Sequence, residues 1–179
     1  MIICVTGLTG SGKGSVGKIL GEMGFRVYDL GDEIREMMKE SGMEISPEND
    51  KKFTIGIRKR YGKLVVVKHL LKKIKLGSAH KTAILGIRSN EELDCIRKRA
   101  KAVSVAVVAP VRTRFERAMK RGRPDSYNTL AAFVKNKDEK DAGMGMLDVI
   151  KGADYVIANT STHTELKKSV GLMLSQIKG

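Results

Sequence analysis

The chain has 179 residues and a net charge of +14, from 34 Lys and Arg against 20 Asp and Glu. That length suits one domain with its own core. With 41% apolar residues and no run near the ~20 needed to cross a bilayer, the pattern excludes a disordered chain and a helical membrane span. The charge favours anionic partners, small polyphosphates or nucleic acid. Aromatics are only 4% with no Trp, so stacking platforms for single strands are scarce and nucleic acid is the less favoured of the two.

Residues 1–6 form an apolar run without alternation, as expected of a buried strand. No signal peptide is expected ahead of it, and Cys4 and Cys95 make no metal or redox spacing, so the expected location is cytoplasmic. Next come Gly7, Leu8, Thr9, Gly10, Ser11, Gly12 and Lys13. The spacing Gly7-xxxx-Gly12-Lys13 between a strand and a helix is that of a P-loop. Glycines let successive N–H groups turn inward on one anion, and Lys13 brings a mobile charge to the outer phosphates of a nucleoside triphosphate. The helix starting near Gly12 aims its N-terminus at the same phosphates. Val16, Ile19, Leu20 and Met23 share one face of that helix, and Gly24 ends it. Phe25 to Tyr28 reads as a second strand, completing a βαβ unit and hence a parallel sheet.

Helical periodicity resumes with Ile34, Met37 and Met38. Ser46-Pro47 starts another helix, and Lys63 to Lys75 carries a further apolar stripe ended by Gly77. Strands follow at Thr82–Ile87, Val103–Ala109 and Tyr155–Ala158, with helices at Arg112–Met119, about Thr129–Asp141, and about Thr164–Ile177. Residues 121–143 are polar and basic, with Gly122, Pro124 and Gly143 as punctuation. Five strands alternating with helices predict a three-layer α/β domain on a five-stranded parallel sheet. Residues 1–31, 77–120 and 144–179 would form the core, 32–76 a helical insertion and 121–143 a basic lid. In such sheets ligands bind beyond the carboxyl ends of the strands.

The Gly-Lys-Gly-Ser form of the loop, with Gly14 after the lysine and the hydroxyl at Ser15, resembles adenylate kinase and other nucleoside monophosphate kinases. The resemblance implies ATP and Mg2+, with Ser15 on the metal side. Gly31-Asp32-Glu33-Ile34-Arg35 is similar to the segment opening the monophosphate-binding helices of adenylate kinase, so Arg35 would grip the acceptor phosphate with Asp32 beside it. A guanidinium fork suits that task on physical grounds alone. Gly86-Ile87-Arg88 resembles the Gly-Phe-Pro-Arg of the same family, shortened by one residue, and makes Arg88 a second phosphate ligand. That family places an aspartate before the glycine to hold metal-bound waters, whereas this chain has Leu85. Asp29 or Asp32 is then the candidate replacement. Arg117, Arg121 and Arg123 are the best cations of the flap, where phosphoryl transfer wants spread-out negative charge neutralised; a solvated helix face accounts for any one of them equally well.

Val27-Tyr28-Asp29 also looks like the Asp-rich segment of dephospho-coenzyme A kinase, where an aspartate is the base for a hydroxyl acceptor. Ala153-Asp154-Tyr155-Val156-Ile157-Ala158-Asn159 looks like that enzyme's last strand, which implies adenine near Asn159 to Ser161; capping is the competing role for Asp154 and Asn159. Nearly end to end, the chain resembles an archaeal family of small P-loop proteins related to adenylate kinase and dephospho-coenzyme A kinase. The expected activity is transfer of the ATP γ-phosphate to a nucleoside monophosphate, AMP first. A hydroxyl acceptor such as dephospho-coenzyme A, or a nucleotide-driven factor on RNA or ribosomal particles, stands as the alternative.

Overall fold

The computed structural model describes residues 1–74, 81–122 and 128–178. Gly77, Arg123 and Pro124 lie outside the described residues.

β1 (Ile2–Thr6) is buried at all five positions. Its side chains alternate between two apolar clusters: Ile3 and Val5 enter one, Ile2 and Cys4 the other. A strand buried on both faces belongs at the centre of a parallel sheet. It pairs with β3 (Thr82–Leu85) on one side and β4 (Ala102–Val108) on the other. β2 (Arg26–Asp29) flanks β3, and β5 (Tyr155–Ala158) flanks β4, giving the all-parallel order β2-β3-β1-β4-β5. The order reverses at β1, so the loop after it sits where an open α/β sheet forms its ligand crevice.

Helices cover both faces. α1 (Lys13–Glu22) and α10 (His163–Lys178) close the cluster of Ile3, Val5, Leu85 and Val107, to which they give Ile19, Leu20, Leu166 and Val170. On the other face, α2 (Leu30–Glu40), α4 (Val65–Lys73) and α5 (Asn90–Arg97) pack Ile34, Met38, Val66, Leu70 and Ile96 against Ile2, Cys4 and Ile84. α9 (Met146–Lys151) adds Val149 there. Burial pushes the Cys4 thiol up to about 12, which makes it an inert part of this core.

α3 (Pro47–Tyr61) stands between α2 and α4 in the chain. α6 (Val111–Lys120) follows β4. The segment expected as one helix over Thr129–Asp141 is three pieces: α7 (Leu130–Phe133), a π-helical stretch (Val134–Asp138) and α8 (Glu139–Gly143). It is fastened to α6 by Phe133, 1% exposed, whose ring meets Phe115 edge-on at 5.7 Å.

The second strand runs one residue later than Phe25–Tyr28, because Asp29 still pairs in register with Leu85. Asp29 then caps α2 at once, accepting from the Gly31 N–H at 2.7 Å. The helical region between β2 and β3 thus begins at Leu30.

Candidate active site

The loop between β1 and α1 curls tightly because Gly7 (φ 143°) and Gly10 (φ 82°) take conformations that side chains disfavour. Each also presses on backbone: a Cβ on Gly7 would collide with the Val107 carbonyl oxygen, and one on Gly10 with that of Arg114. Gly12 is the left-handed N-cap of α1, and no side chain caps that helix. Asp29, Ser46 and Ser89 cap α2, α3 and α5. The first-turn N–H groups of α1 are therefore unclaimed by a cap, and the helix dipole adds to their pull on an anion.

Lys13 opens α1 and folds back, donating from Nζ to the carbonyl oxygens of Gly7 (2.5 Å) and Leu8 (3.2 Å). Burial brings its pKa down from 10.5 to about 8. The Asp141 carboxylate opposes that fall and Arg88 adds to it; Asp29 and Arg121 act in the same two senses. Gly14 and Ser15 are exposed in the first turn of α1.

Side chains from far along the chain hold the loop from behind. Asn159, 6% exposed, donates its Nδ2 to the Ser11 carbonyl at 2.8 Å, while its own N–H binds the Val108 carbonyl. Arg117 on α6 donates to the Asn159 carbonyl at 3.1 Å. Arg114 donates to the Thr9 carbonyl at 3.2 Å and grips Asp138 with both prongs, at 2.8 and 2.6 Å. Asn159, expected near adenine, has its side-chain amide turned to the loop and committed to Ser11. Arg117, expected among the flap cations, is likewise engaged at the back of the loop. The charge of Arg121 reaches Lys13, and Arg123 lies outside the described residues.

On the other side, the ends of β2 and β3 meet. A Cβ at Gly86 would lie 3.4 Å from Asp29 Oδ1; one at Gly31 would lie 3.1 Å from that oxygen and 3.6 Å from Arg35 Nη1. Asp29, Arg35 and Gly86 are thus neighbours, with Arg35 paired to Asp32 at the surface. Arg88 reaches α8, where Nη1 donates to Asp141 Oδ1 at 2.8 Å; Asp141 Oδ2 accepts from Thr9 Oγ1 at 3.2 Å. Arg88 also borders a cleft of about 580 Å³ lined by Thr54, Ile55, Arg58, Glu92 and Met144.

Leu85 points away from all this. It is 3% exposed and packs under α1, where a Cβ on Gly17 would come within 2.5 Å of its Cδ1. No three His, Cys, Asp or Glu side chains form a metal cage among the described residues. Mg2+ keeps waters and phosphate oxygens and asks the protein for only one or two oxygen ligands. The Ser15 hydroxyl, exposed in the first turn of α1, and the Asp29 carboxylate, whose charge reaches Lys13, are oxygen donors of the type such an ion takes.

Asp138 and Asp141 are absent from a reading that counts only the cations of residues 112–140. Their signal is present all the same: two carboxylates three residues apart, in a segment of helical spacing, fall on one face.

Sheet order, uncapped helix and lysine-bearing loop together define a protein of the P-loop kinase fold. Solved structures bear this out. A shikimate kinase from Bacteroides thetaiotaomicron superposes with a TM-score of 0.64 at 14% identity, covering 100% of this chain and 99% of that one. The shikimate kinase of Aquifex aeolicus gives 0.60 at 22%, with 99% and 98% covered. A gluconokinase from Sinorhizobium meliloti gives 0.54 at 16%, with 98% and 91% covered. At these identities the likeness is one of fold. The sequence pattern of the AAA domain matches residues 3–142. The UPF0200 protein of Hyperthermus butylicus is 36% identical over 179 residues, covering 100% of this chain and 96% of its own. That of Pyrococcus abyssi is 35% identical, with 99% and 97% covered. The chain belongs to the AAA domain family and to the archaeal UPF0200 proteins. Such a fold implies a nucleoside triphosphate at the loop. No described helix is long and apolar enough to cross a membrane.

Proposed function

We propose that this chain is an ATP-dependent phosphotransferase acting on a nucleoside monophosphate, with AMP as the first acceptor to test. One observation carries the reading: Arg88, at the mouth of the 580 Å³ cleft, is tied through Asp141 to Thr9 of the loop. Donor and acceptor spaces therefore adjoin at a single carboxylate. Lys13 and the N-terminus of α1 would hold the β- and γ-phosphates, with Mg2+ on the Ser15 side neutralising their charge. Arg88, with Arg35 at the neighbouring strand end, would hold the acceptor phosphate, whose oxygen attacks in line. A phosphate acceptor needs no general base, so the burden falls on positioning and charge. The test is ADP release with ATP and magnesium against AMP, CMP, UMP, GMP and dephospho-coenzyme A, with water and RNA as controls. Turnover with a monophosphate above the water rate is expected. Release no faster than with water, for every acceptor, would refute the reading.

Asp29 supports a second reading, transfer to a hydroxyl. Its carboxylate sits at the end of β2 and its charge reaches Lys13, a place from which it could take a hydroxyl proton. Asp29→Asn separates the two: a hydroxyl kinase loses turnover by about two orders of magnitude or more, and a monophosphate kinase is only weakened.

A further inference from the structure

Asp141 is 3% exposed, and its two oxygens serve different halves of the site. Oδ1 accepts from Arg88 Nη1 at 2.8 Å, and Oδ2 from Thr9 Oγ1 at 3.2 Å. The bonds span 53 and 132 residues of chain, so no local turn requires them. The next residue back reaches a third element: Lys140 Nζ pairs with Asp50 on α3 at 3.1 Å. Three residues before Asp141, Asp138 holds Arg114, whose guanidinium also binds the Thr9 carbonyl. One helical turn thus touches the donor loop once directly and once through Arg114, the acceptor arginine once and α3 once.

Stability alone is a poor reason for this arrangement. A buried ion pair loses in desolvation much of what it gains in attraction, and an apolar pair of the same volume is often as stable. A carboxylate with one oxygen on each substrate's holder does something an apolar pair cannot. It sets the distance between them.

We propose that Asp141 is the positioning residue that spaces Arg88 from the phosphate-binding loop, so that the acceptor phosphate held by Arg88 lies in line with the phosphate held by Lys13. Arg88 gives one Nη1 bond to Asp141 and presents the rest of its fork to the acceptor. The proposal rests on the phosphotransferase reading and adds a role for the lid within it.

The test uses the full chain and the variants Asp141→Asn, Asp141→Glu and Thr9→Val. Asn keeps the shape and removes the charge; Glu keeps the charge and lengthens the spacer. Positioning requires both to fail: kcat falls about a hundredfold in each, the effect of an approximately 1 Å misplacement. The KM for ATP stays within about threefold of wild type or falls in Asp141→Asn, because one negative charge fewer beside the phosphates does not repel them. Thr9→Val lowers kcat, and adding it to Asp141→Asn lowers kcat no further. Full rescue by Glu would overturn the proposal, as would a rise in both KM values in step with lost thermal stability. A second readout needs no acceptor: labelling of Arg88 by phenylglyoxal, followed by peptide mass. It should quicken several-fold in Asp141→Asn and stay near the wild-type rate in Thr9→Val, where Asp141 still holds Arg88. Equal labelling in all forms would overturn the bridge. Altered labelling alongside a wild type that phosphorylates nothing would sink the phosphotransferase reading and leave the bridge standing.

Discussion

Nucleotide binding should take up a proton at Lys13, and the uptake should grow with pH. In the ligand-free protein, burial holds the ammonium at a pKa of about 8. Its partners there are two carbonyl oxygens, Gly7 and Leu8, which are dipoles and carry no net charge. At pH 7 roughly one lysine in ten is neutral, at pH 8 about half and at pH 9 about nine in ten. Phosphate oxygens bring full negative charge and restore the ammonium form. Binding at pH 9 should therefore take up about 0.9 proton and binding at pH 7 about 0.1, with affinity falling up to tenfold per unit well above pH 8. The terminal phosphate of ADP ionises near pH 6 and contributes little at pH 8 or 9. Calorimetric titration with ADP at pH 7, 8 and 9, in two buffers of different ionisation enthalpy, counts the protons directly. Uptake that is flat across this range, or that survives in Lys13→Met, would refute the reasoning. The shift also acts on stability. Between pH 8 and 10.5 the unfolded chain holds the lysine proton more firmly than the folded one. The ligand-free protein should thus gain stability as pH rises through that window, so far as Lys13 is concerned.

Asn159→Ala removes the side-chain amide that holds the Ser11 carbonyl, while Arg117 keeps its bond to the backbone carbonyl of residue 159. It should cost about 1–3 kcal/mol in denaturant unfolding and weaken ADP binding; unchanged values of both would contradict the brace. Leu85→Asp puts a carboxylate against Gly17 inside an apolar cluster, so it should destabilise by about 3 kcal/mol or more. A variant as stable as wild type that gained magnesium-dependent turnover would show that position 85 faces the phosphates. Gly10→Ala must hold φ 82° against the Arg114 carbonyl, a strain of about 1–2 kcal/mol before any collision. Thermal unfolding and ADP affinity should both drop, and wild-type affinity would mean that the loop relaxes freely.

Local pattern carries most of the fold. The run Ile2–Val5 is apolar on both faces because β1 lies between two strands and two helical layers, and the glycines after it mark a sharp turn over the sheet. Short-range chemistry also exposes the caps at Ser46 and Ser89. What local pattern leaves out is pairing across the chain. Asn159 binds a carbonyl 148 residues earlier, and nothing near Asn159 tells a base contact from a brace. Arg117 and Arg121 lie one helical turn apart, yet Arg117 turns to the back of the loop while the charge of Arg121 reaches Lys13. Asp138 and Asp141 are overlooked for the opposite reason: in so basic a segment they read as solvated charge, whereas Asp138 faces the buried Arg114 and Asp141 the half-buried Arg88.

The π-helical stretch Val134–Asp138 sets the phase of α8. Each residue of an α-helix turns the chain by about 100°, and a π turn holds one residue more than an α turn. The surplus residue rotates everything after it relative to α7, which is anchored by Phe133. Take one residue out of that stretch and Lys140 and Asp141 swing by about 100° away from Asp50, Arg88 and Thr9, though every side chain that makes those bonds is still present. The fit of α8 to Arg88, Thr9 and Asp50 is written in chain length as much as in residue identity, so a single deletion there is a harsher change than most substitutions.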